Sequence, residues 1–349
     1  MQRFIIGWDI GGAHVKAAML DDSGVVLQVI QRPCPLWKGL SYLEAAIDAV
    51  LMQLPREVER HAVTMTGELV DCFSSREQGV EAILHTLQGR LPKSDIRVFA
   101  GNAGFISLDD VRSDDYMVIA SANWLASAQL AARCRKNALF VDIGSTTSDI
   151  LRIESHAVQA VGHTDYERLV SGELVYTGIV RTAVMAVAQR AVFNGRDMGL
   201  MAEYFATMAD VYRLTGDLNE AHDQSETADG ADKSPVASAR RLSRMTGFEF
   251  VESDWPLWLA FAQELKRQQR ALIHEACLQQ LGSGCDQAKD LCLIGAGVGR
   301  FLAKEIAADL GLGYVDFTAL LRQGASVGDV DAADCAPAVA VAYLAAGFG

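Results

Sequence analysis

The chain is expected to be an α/β protein of two half-domains, each a mixed sheet flanked by helices, with a cleft between them. Three observations predict this. An apolar strand ending in an acidic turn of small residues occurs twice, as GWDIGGAHVKA (7–17) and FVDIGSTTSDI (140–150). Each opens a run of three β-like segments, which indicates duplication rather than one continuous sheet. Between and beyond them, helical spacings alternate with short apolar runs. The 349 residues suffice for two domains, and 50% hydrophobic residues suffice for sizeable cores.

Residues 3–10, 14–20 and 25–31 read as strands, joined by Gly11-Gly12 and by DDSG (21–24). A helix is expected from Tyr42 to Leu54, where Pro55 stops it. Residues 62–67 read as a strand, 76–88 as a helix and 96–101 as a strand. Residues 120–134 have helical spacing and open on Ser121, a candidate N-cap. The pattern then restarts, with strands over 138–144, 146–153 and 157–162. Helices are expected over 200–214 and 254–281, the second with Leu257, Phe261, Leu265, Leu272 and Ala276 on one face. LCLIGAGVGRFLAKEIAADLG (291–311) is strand, glycine turn and helix, and the Ala-rich tail from Cys335 to Phe348 reads as a buried helix. The domains are drawn as 1–135 and 136–349, the second carrying a helical insertion over about 195–285.

The net charge is −13 and there is no dense Lys/Arg run, which argues against nucleic acid as a partner. Small anions stay within reach, because backbone N–H groups and a divalent ion bind them whatever the net charge. Seven cysteines (Cys34, Cys72, Cys134, Cys277, Cys285, Cys292, Cys335) stand singly with no Cys-x-x-Cys, which suits a reducing compartment and buried thiols rather than zinc. MQRFIIGWDIGG meets Asp9 before any long apolar run, so it is not read as a signal peptide. The apolar tail is too short to span a bilayer. A soluble, cytoplasmic protein with no membrane partner is expected, and its oligomeric state, a homo-oligomer included, stays open.

Residues 217–232, DLNEAHDQSETADGAD, carry an acid at every third position and no Lys or Arg; Lys233, Arg240, Arg241 and Arg244 follow. This is either a solvated loop running into a surface helix or an acidic arm near the active site that holds a metal or an amine.

A strand–turn–strand with small residues at the turn exposes backbone N–H groups and lets a phosphate approach the main chain. An Asp at the end of the first strand suits Mg²⁺, a hard ion that prefers carboxylate, water and phosphate oxygen. Asp9 with Gly11 and Gly12 makes one such turn, and Asp142 with Gly144, Ser145, Thr146 and Thr147 makes the other. Two facing turns can hold one oligophosphate from both sides, with Asp9 and Asp142 anchoring its Mg²⁺. LIGAGVGR (293–300) adds a third turn through Gly295, Gly297 and Gly299. Arg300 stands where the third Rossmann glycine belongs, and only about fifty residues follow, too few for a dinucleotide domain. A turn packing against a nucleotide or diphosphate fits better, with a purely structural glycine turn as the alternative.

In order and spacing these three pieces resemble the sugar kinase, actin and heat-shock chaperone superfamily. The resemblance implies two ribonuclease-H-like domains of the actin-like ATPase class. Ala13 and His14 stand where that superfamily commonly has Thr-Asn, which removes a hydroxyl that often touches phosphate and weighs against ordinary ATP chemistry. GWDIGGAHVKAA, TMTGELVDCF, DIGSTTSDI, GELVYTGIVRTAV, EYFATMADVYRLTG, and TADG followed by ARRLSRM are similar to hydantoinase/oxoprolinase-like proteins of tetrahydromethanopterin-linked one-carbon metabolism. Characterised members join an (aminomethyl)furanmethanol diphosphate to γ-glutamyltyramine, forming an aryl ether and releasing diphosphate in methanofuran biosynthesis.

The resemblance therefore implies a transferase with a small-molecule diphosphate donor and a phenolic amine acceptor: tyramine, tyrosine or a glutamylated form. The rivals are an ATP-dependent kinase or amide-ring hydrolase of the same superfamily, and a nucleotide-binding regulator without catalysis. For the transferase, Lys16 is a candidate for fixed positive charge, with a surface role as its alternative. Glu68 is the candidate general base or partner of the donor's aminomethyl group, and Asp71 is expected to cap the following helix. His14 and His163 are further base candidates. Arg181 is a candidate for the glutamyl carboxylate or the diphosphate.

Overall fold

The computed structural model describes residues 3–55, 58–92, 94–282, 290–324 and 330–348; Cys285 lies outside them. Chain contacts separate two compact units, Met1–Ala138 with Ile153–Gln159 and Asp316–Gly349, and Leu139–Arg152 with Ala160–Val315. The division is discontinuous where the sequence suggests one boundary near 135, because the C-terminal helix packs on the first sheet.

The elements of the first part of the chain are β1 (Phe4–Ile10), β2 (His14–Asp21), β3 (Val25–Pro33), α1 (Leu40–Leu51), β4 (Arg60–Met65), α2 (Arg76–Arg90), β5 (Asp95–Phe99), β6 (Phe105–Ser107), α3 (Tyr116–Ile119) and α4 (Asn123–Cys134). Next come β7 (Ala138–Ile143), β8 (Ser148–Glu154), β9 (Ala157–Val158), α5 (Asp165–Ser171), β10 (Leu174–Val175), α6 (Val184–Val187), β11 (Arg190–Phe193) and β12 (Arg196–Gly199). The chain ends with α7 (Met208–Thr215), α8 (Pro235–Thr246), α9 (Trp255–Leu281), β13 (Cys292–Ala296), α10 (Arg300–Asp309), β14 (Gly313–Asp316), β15 (Arg322–Gln323) and α11 (Ala336–Ala346).

The first sheet runs β15-β3-β2-β1-β4-β5-β6. β1 is antiparallel to β2 and parallel to β4, and β4 is parallel to β5. Helix α1 buries Leu43, Ala46, Ile47 and Val50, an i, i+3, i+4, i+7 stripe. Ser75 caps α2 by accepting the Gln78 N–H at 3.2 Å. Helix α11 is almost wholly buried, as expected of the Ala-rich tail. Small residues let it lie directly on β1, where a Cβ added to Gly7 would sit 1.9 Å from the Ala338 carbonyl oxygen. The second sheet runs β10-β8-β7-β13-β14, with β9 paired to β8. Its core gathers Leu139, Val141, Tyr212, Leu242, Trp258, Phe261 and Leu302. Each unit is thus a sheet with helices. The strand order β3-β2-β1-β4-β5 of the first is the ribonuclease-H-like arrangement, and the fold is of the actin-like ATPase class.

Several expectations are corrected. The third strand of the second run stops at Val158, because Glu173 takes the backbone N–H groups of Val161 (2.6 Å) and Gly162 (2.8 Å) that a longer strand would pair. The helix expected from 200 begins only at Met208, where a capping box between Thr207 and Asp210 starts it. Ser121 does not cap α4; its φ is +50° and Ala122 holds the N-cap position. In α9 the buried stripe is Trp258, Phe261, Ala262, Leu265, Gln269, Ile273 and Ala276, which leaves Leu272 at 39% exposure.

Cys34, Cys277 and Cys335 are buried, and burial pushes each thiol up to about 12; Cys72 is exposed. Among the described residues no helix is long and apolar enough to cross a membrane.

Candidate functional site

In the first unit, strand register decides which side chains share a face. Asp9 pairs with Lys16 across the antiparallel ladder and with Thr64 across the parallel one, so the three side chains project to one side of the sheet. Asp9 is buried, and the Gly11 N–H donates to the His14 carbonyl at 2.9 Å to close the turn. A Cβ on Gly12 would lie 2.7 Å from Val70, so that turn is built for a residue without a side chain. Lys16 Nζ donates to the Asp334 carbonyl at 2.7 Å, just before α11. Thr64 is fully buried, and its Oγ1 has no hydrogen-bond partner among the described residues. Glu68 follows β4 in a 3-10 turn (Gly67–Leu69) and is buried, its Oε1 accepting from Ser121 Oγ at 2.7 Å. His14 is buried at the start of β2. Asp71 is exposed and does not cap the following helix, whose N-cap is Ser75.

In the second unit the Gly144 N–H donates to the Thr147 carbonyl at 2.8 Å and shapes the hairpin turn. The segment 177–182 braces it. The N–H groups of Ile179, Val180 and Arg181 bind the carbonyls of Gly144 and Ser145 at 2.9–3.0 Å. Behind the segment, Gln269 of α9 donates to Thr177 Oγ1 at 2.7 Å and to the Gly178 carbonyl at 2.8 Å, and accepts from the Tyr212 hydroxyl. The glycine turn after β13 packs on the end of β7. The Gly299 N–H donates to the Ile143 carbonyl at 2.8 Å, and a Cβ on Gly297, whose φ is +78°, would lie 2.3 Å from Asp142 Oδ1. A Cβ on Gly295 would meet the Tyr314 hydroxyl at 2.6 Å, so that glycine serves close packing. Ser145 Oγ is buried without a hydrogen-bond partner among the described residues. The structure therefore gathers Asp142, Gly144, Ser145, Thr146, Thr147 and Gly297 at one turn. Arg181 lies beside them, its Nη1 3.5 Å from Thr146 Oγ1. His163 is exposed at the start of α5, where its N–H donates to Glu167 at 2.9 Å.

The acidic stretch is in part a solvated loop, with Glu226 and Asp232 exposed, but four of its six acids are tied to cations of the same unit. Glu220 and Asp223 bind Arg213 at 2.7 Å each, Asp229 binds Arg241 at 3.1 Å and Asp217 binds Lys266 at 2.9 Å. Arg213 and Arg241 are buried, and Asp210 of α7 accepts from Arg241 at 2.6 Å. Burial opposes the charge on Arg241, but Asp210 and Asp229 outweigh it and raise its pKa. A guanidinium stays buried only when paired, so the acids are its partners.

Among the described residues no group of three or more His, Cys, Asp or Glu forms a ready metal cage. Sequence reasoning missed Thr64, the Glu68–Ser121 pair and Gln269. Only Gln269 left a signal, a lone amide at a core position of an apolar helical stripe.

Residues 59–336 match the model of the hydantoinase/oxoprolinase family. The "(4-{4-[2-(gamma-L-glutamylamino)ethyl]phenoxymethyl}furan-2-yl)methanamine synthase" of Methanocaldococcus jannaschii is 32% identical over 278 residues, 79% of this chain and 81% of that protein. The protein of the same name from Methanococcus vannielii is 33% identical over 110 residues, 32% of this chain and 49% of its own. Among solved structures, nucleotide-free acetone carboxylase superposes with a TM-score of 0.58 at 10% identity, over 100% of this chain and 71% of that one, a likeness of fold alone. With four-fifths of its length matched both by the family model and by a relative of that identity, the chain belongs to the hydantoinase/oxoprolinase family.

Proposed function

We propose that this protein is a transferase that joins an (aminomethyl)furanmethanol diphosphate to a phenolic amine in the making of a methanofuran-type one-carbon carrier. The observation that carries this reading is the 32% identity over 79% of the chain to a synthase whose product name describes a phenoxymethylfuran. In the reaction the phenol oxygen bonds to the furylmethyl carbon as the carbon–oxygen bond to diphosphate breaks. The phenol proton passes to a base, and diphosphate leaves with the bonding pair.

Charge grows on the leaving group, so stabilising it is the largest task, worth about 3 kcal/mol for each well-placed donor. Gly11 and Gly144 spend their N–H groups on closing the turns, so those of Gly12, Ser145 and Thr146 suit this role. The donor set at each turn also fits Mg²⁺. It is all hard oxygen, from Asp9 and Thr64 in one unit and Asp142 and Ser145 in the other, and two of its buried hydroxyls lack hydrogen-bond partners among the described residues. At its own turn each aspartate, Asp9 or Asp142, would hold such an ion, which when bound offsets charge on the departing diphosphate. A free phenol has a pKa near 10, so a base assists its attack. Glu68, buried and oriented by Ser121, is assigned that role.

The test is direct. Purified protein with Mg²⁺, the furanyl diphosphate and either γ-glutamyltyramine or tyramine should release diphosphate and yield the aryl ether by mass spectrometry. No ether from a panel of phenols, alongside ADP formation from ATP, would replace this reading with a kinase or amide-ring hydrolase.

A further inference from the structure

Helix α5 turns its charged side chain inward and its apolar ones outward. Arg168 is its buried residue, while Tyr166, Leu169 and Val170, spaced i, i+3, i+4, face solvent at 76%, 50% and 68% exposure. Val161 (77%) and Tyr176 (68%) extend this face from the segments before and after the helix. Both segments adjoin it. A Cβ on Gly162 would lie 2.6 Å from the Arg168 nitrogen, and Arg168 Nη2 donates to the carbonyl of Glu173, just before β10, at 3.3 Å.

The inversion has a cause within the unit. Arg168 Nη2 also donates to Asp149 of β8 at 2.7 Å, and buried Glu173 accepts from Ser171 Oγ at 2.7 Å and from the Val161 and Gly162 N–H groups. Paired polar groups therefore fix α5 to the sheet edge, and its apolar stripe is left in water. Whole tyrosines offer about 150–250 Å² each and aliphatic side chains about 60–120 Å², so the five residues at these exposures present roughly 500 Å². That is the apolar share, about 60%, of the 800 Å² that each side of a standard protein interface buries.

The charges of the segment stand at the rim. Helical spacing puts Asp165 and Glu167 on opposite flanks of the stripe, and Glu167 already accepts the N–H groups of His163 and Thr164 at 2.9 and 3.1 Å. From 161 to 176 the buried Arg168 is the sole Lys or Arg. Such a face is complementary to itself: apolar at the centre, with tyrosine hydroxyls that donate and flanking carboxylates that accept.

We propose that a second copy of this chain covers the α5 face through a two-fold contact, so that the protein is a dimer in solution. Sedimentation velocity, in a reductant that keeps exposed Cys72 from cross-linking, should give twice the 37.7 kDa of one chain at micromolar concentration. The copies repel through their charge of −13 each, which salt screens, so the dimer should hold or tighten between about 50 and 500 mM salt. Val170→Asp and Tyr166→Ser change exposed positions, and each should weaken association at least about thirtyfold with native circular dichroism. Val251→Asp, at a position 47% exposed elsewhere in the unit, should leave it unchanged. In the wild type, hydrogen exchange over 161–176 should slow as concentration rises through the dissociation constant. A monomer at about 100 µM, a mass above two chains, or a dimer indifferent to both α5 substitutions overturns the proposal. So does exchange over 161–176 that is slow at every concentration, which would assign the face to another segment of the same chain.

Discussion

His61 shows how one side chain ties stability to pH. Trp8 Nε1–H donates to His61 Nδ1 at 2.9 Å, so that nitrogen must carry no proton. Burial lowers the His61 pKa from 6.5 to about 4, against a small opposing pull from Asp95. A depressed histidine binds its proton more readily in the unfolded chain, so its contribution is complete above pH 6.5 and is lost as pH falls toward 4. The loss should be roughly 3 kcal/mol. Urea unfolding at steps from pH 7 to 4 should show it, and His61→Gln, which keeps an acceptor for Trp8, should flatten the slope over that window. Asp142 is a different case, because its value is functional. Asp142→Ala should abolish diphosphate release while circular dichroism stays native, and a fully active variant would remove it from the site.

At the scale of the element, helix α11 and helix α9 hold the two turns by different means. Gly7 exists so that α11 can lie on β1, and Gly7→Ala would drive a methyl group into the Ala338 carbonyl. That overpacking should cost about 3 kcal/mol and lower the midpoint of urea unfolding. Gln269 acts through hydrogen bonds. Gln269→Leu strands Thr177 Oγ1, the Gly178 carbonyl and the Tyr212 hydroxyl, which should cost about 2–4 kcal/mol. The brace behind Gly144 and Ser145 would loosen with it, so KM for the donor should rise; an unchanged KM with lowered stability would mean the amide serves stability alone.

Elements were legible from the sequence where their cause is local. The strands of the first hairpin, α1 and α10 follow from apolar spacing and turn glycines. The strand drawn over 157–162 and the helix drawn from 200 failed for a nonlocal reason. Glu173 captures the N–H groups of Val161 and Gly162, and the Met201 N–H binds the carbonyl of Met245, far along the chain.

For the whole molecule, each unit carries one acidic glycine turn, and the proposed ligand is a magnesium diphosphate. A ligand that binds only the native state stabilises it by about 2.7 kcal/mol at a hundred times its Kd. Mg²⁺ with diphosphate should therefore raise the thermal midpoint of the wild type, and diphosphate with a chelator should not. The same shift in Asp142→Ala, or a shift indifferent to Mg²⁺, would sever the metal from that carboxylate.

What the sequence determined by itself was the pair of turns, their carboxylates and the family resemblance. Glycine freedom and strand alternation act over a few residues and leave a mark that can be read along the chain. Tertiary structure alone decided which polar groups would be buried together. Ser121 was drawn off its expected cap to Glu68, 53 residues away. Glu220, Asp223 and Asp229 of the acidic stretch became partners of Arg213 and Arg241. A buried charge is tolerable only beside its partner, and which partner is at hand depends on the folded chain rather than on spacing.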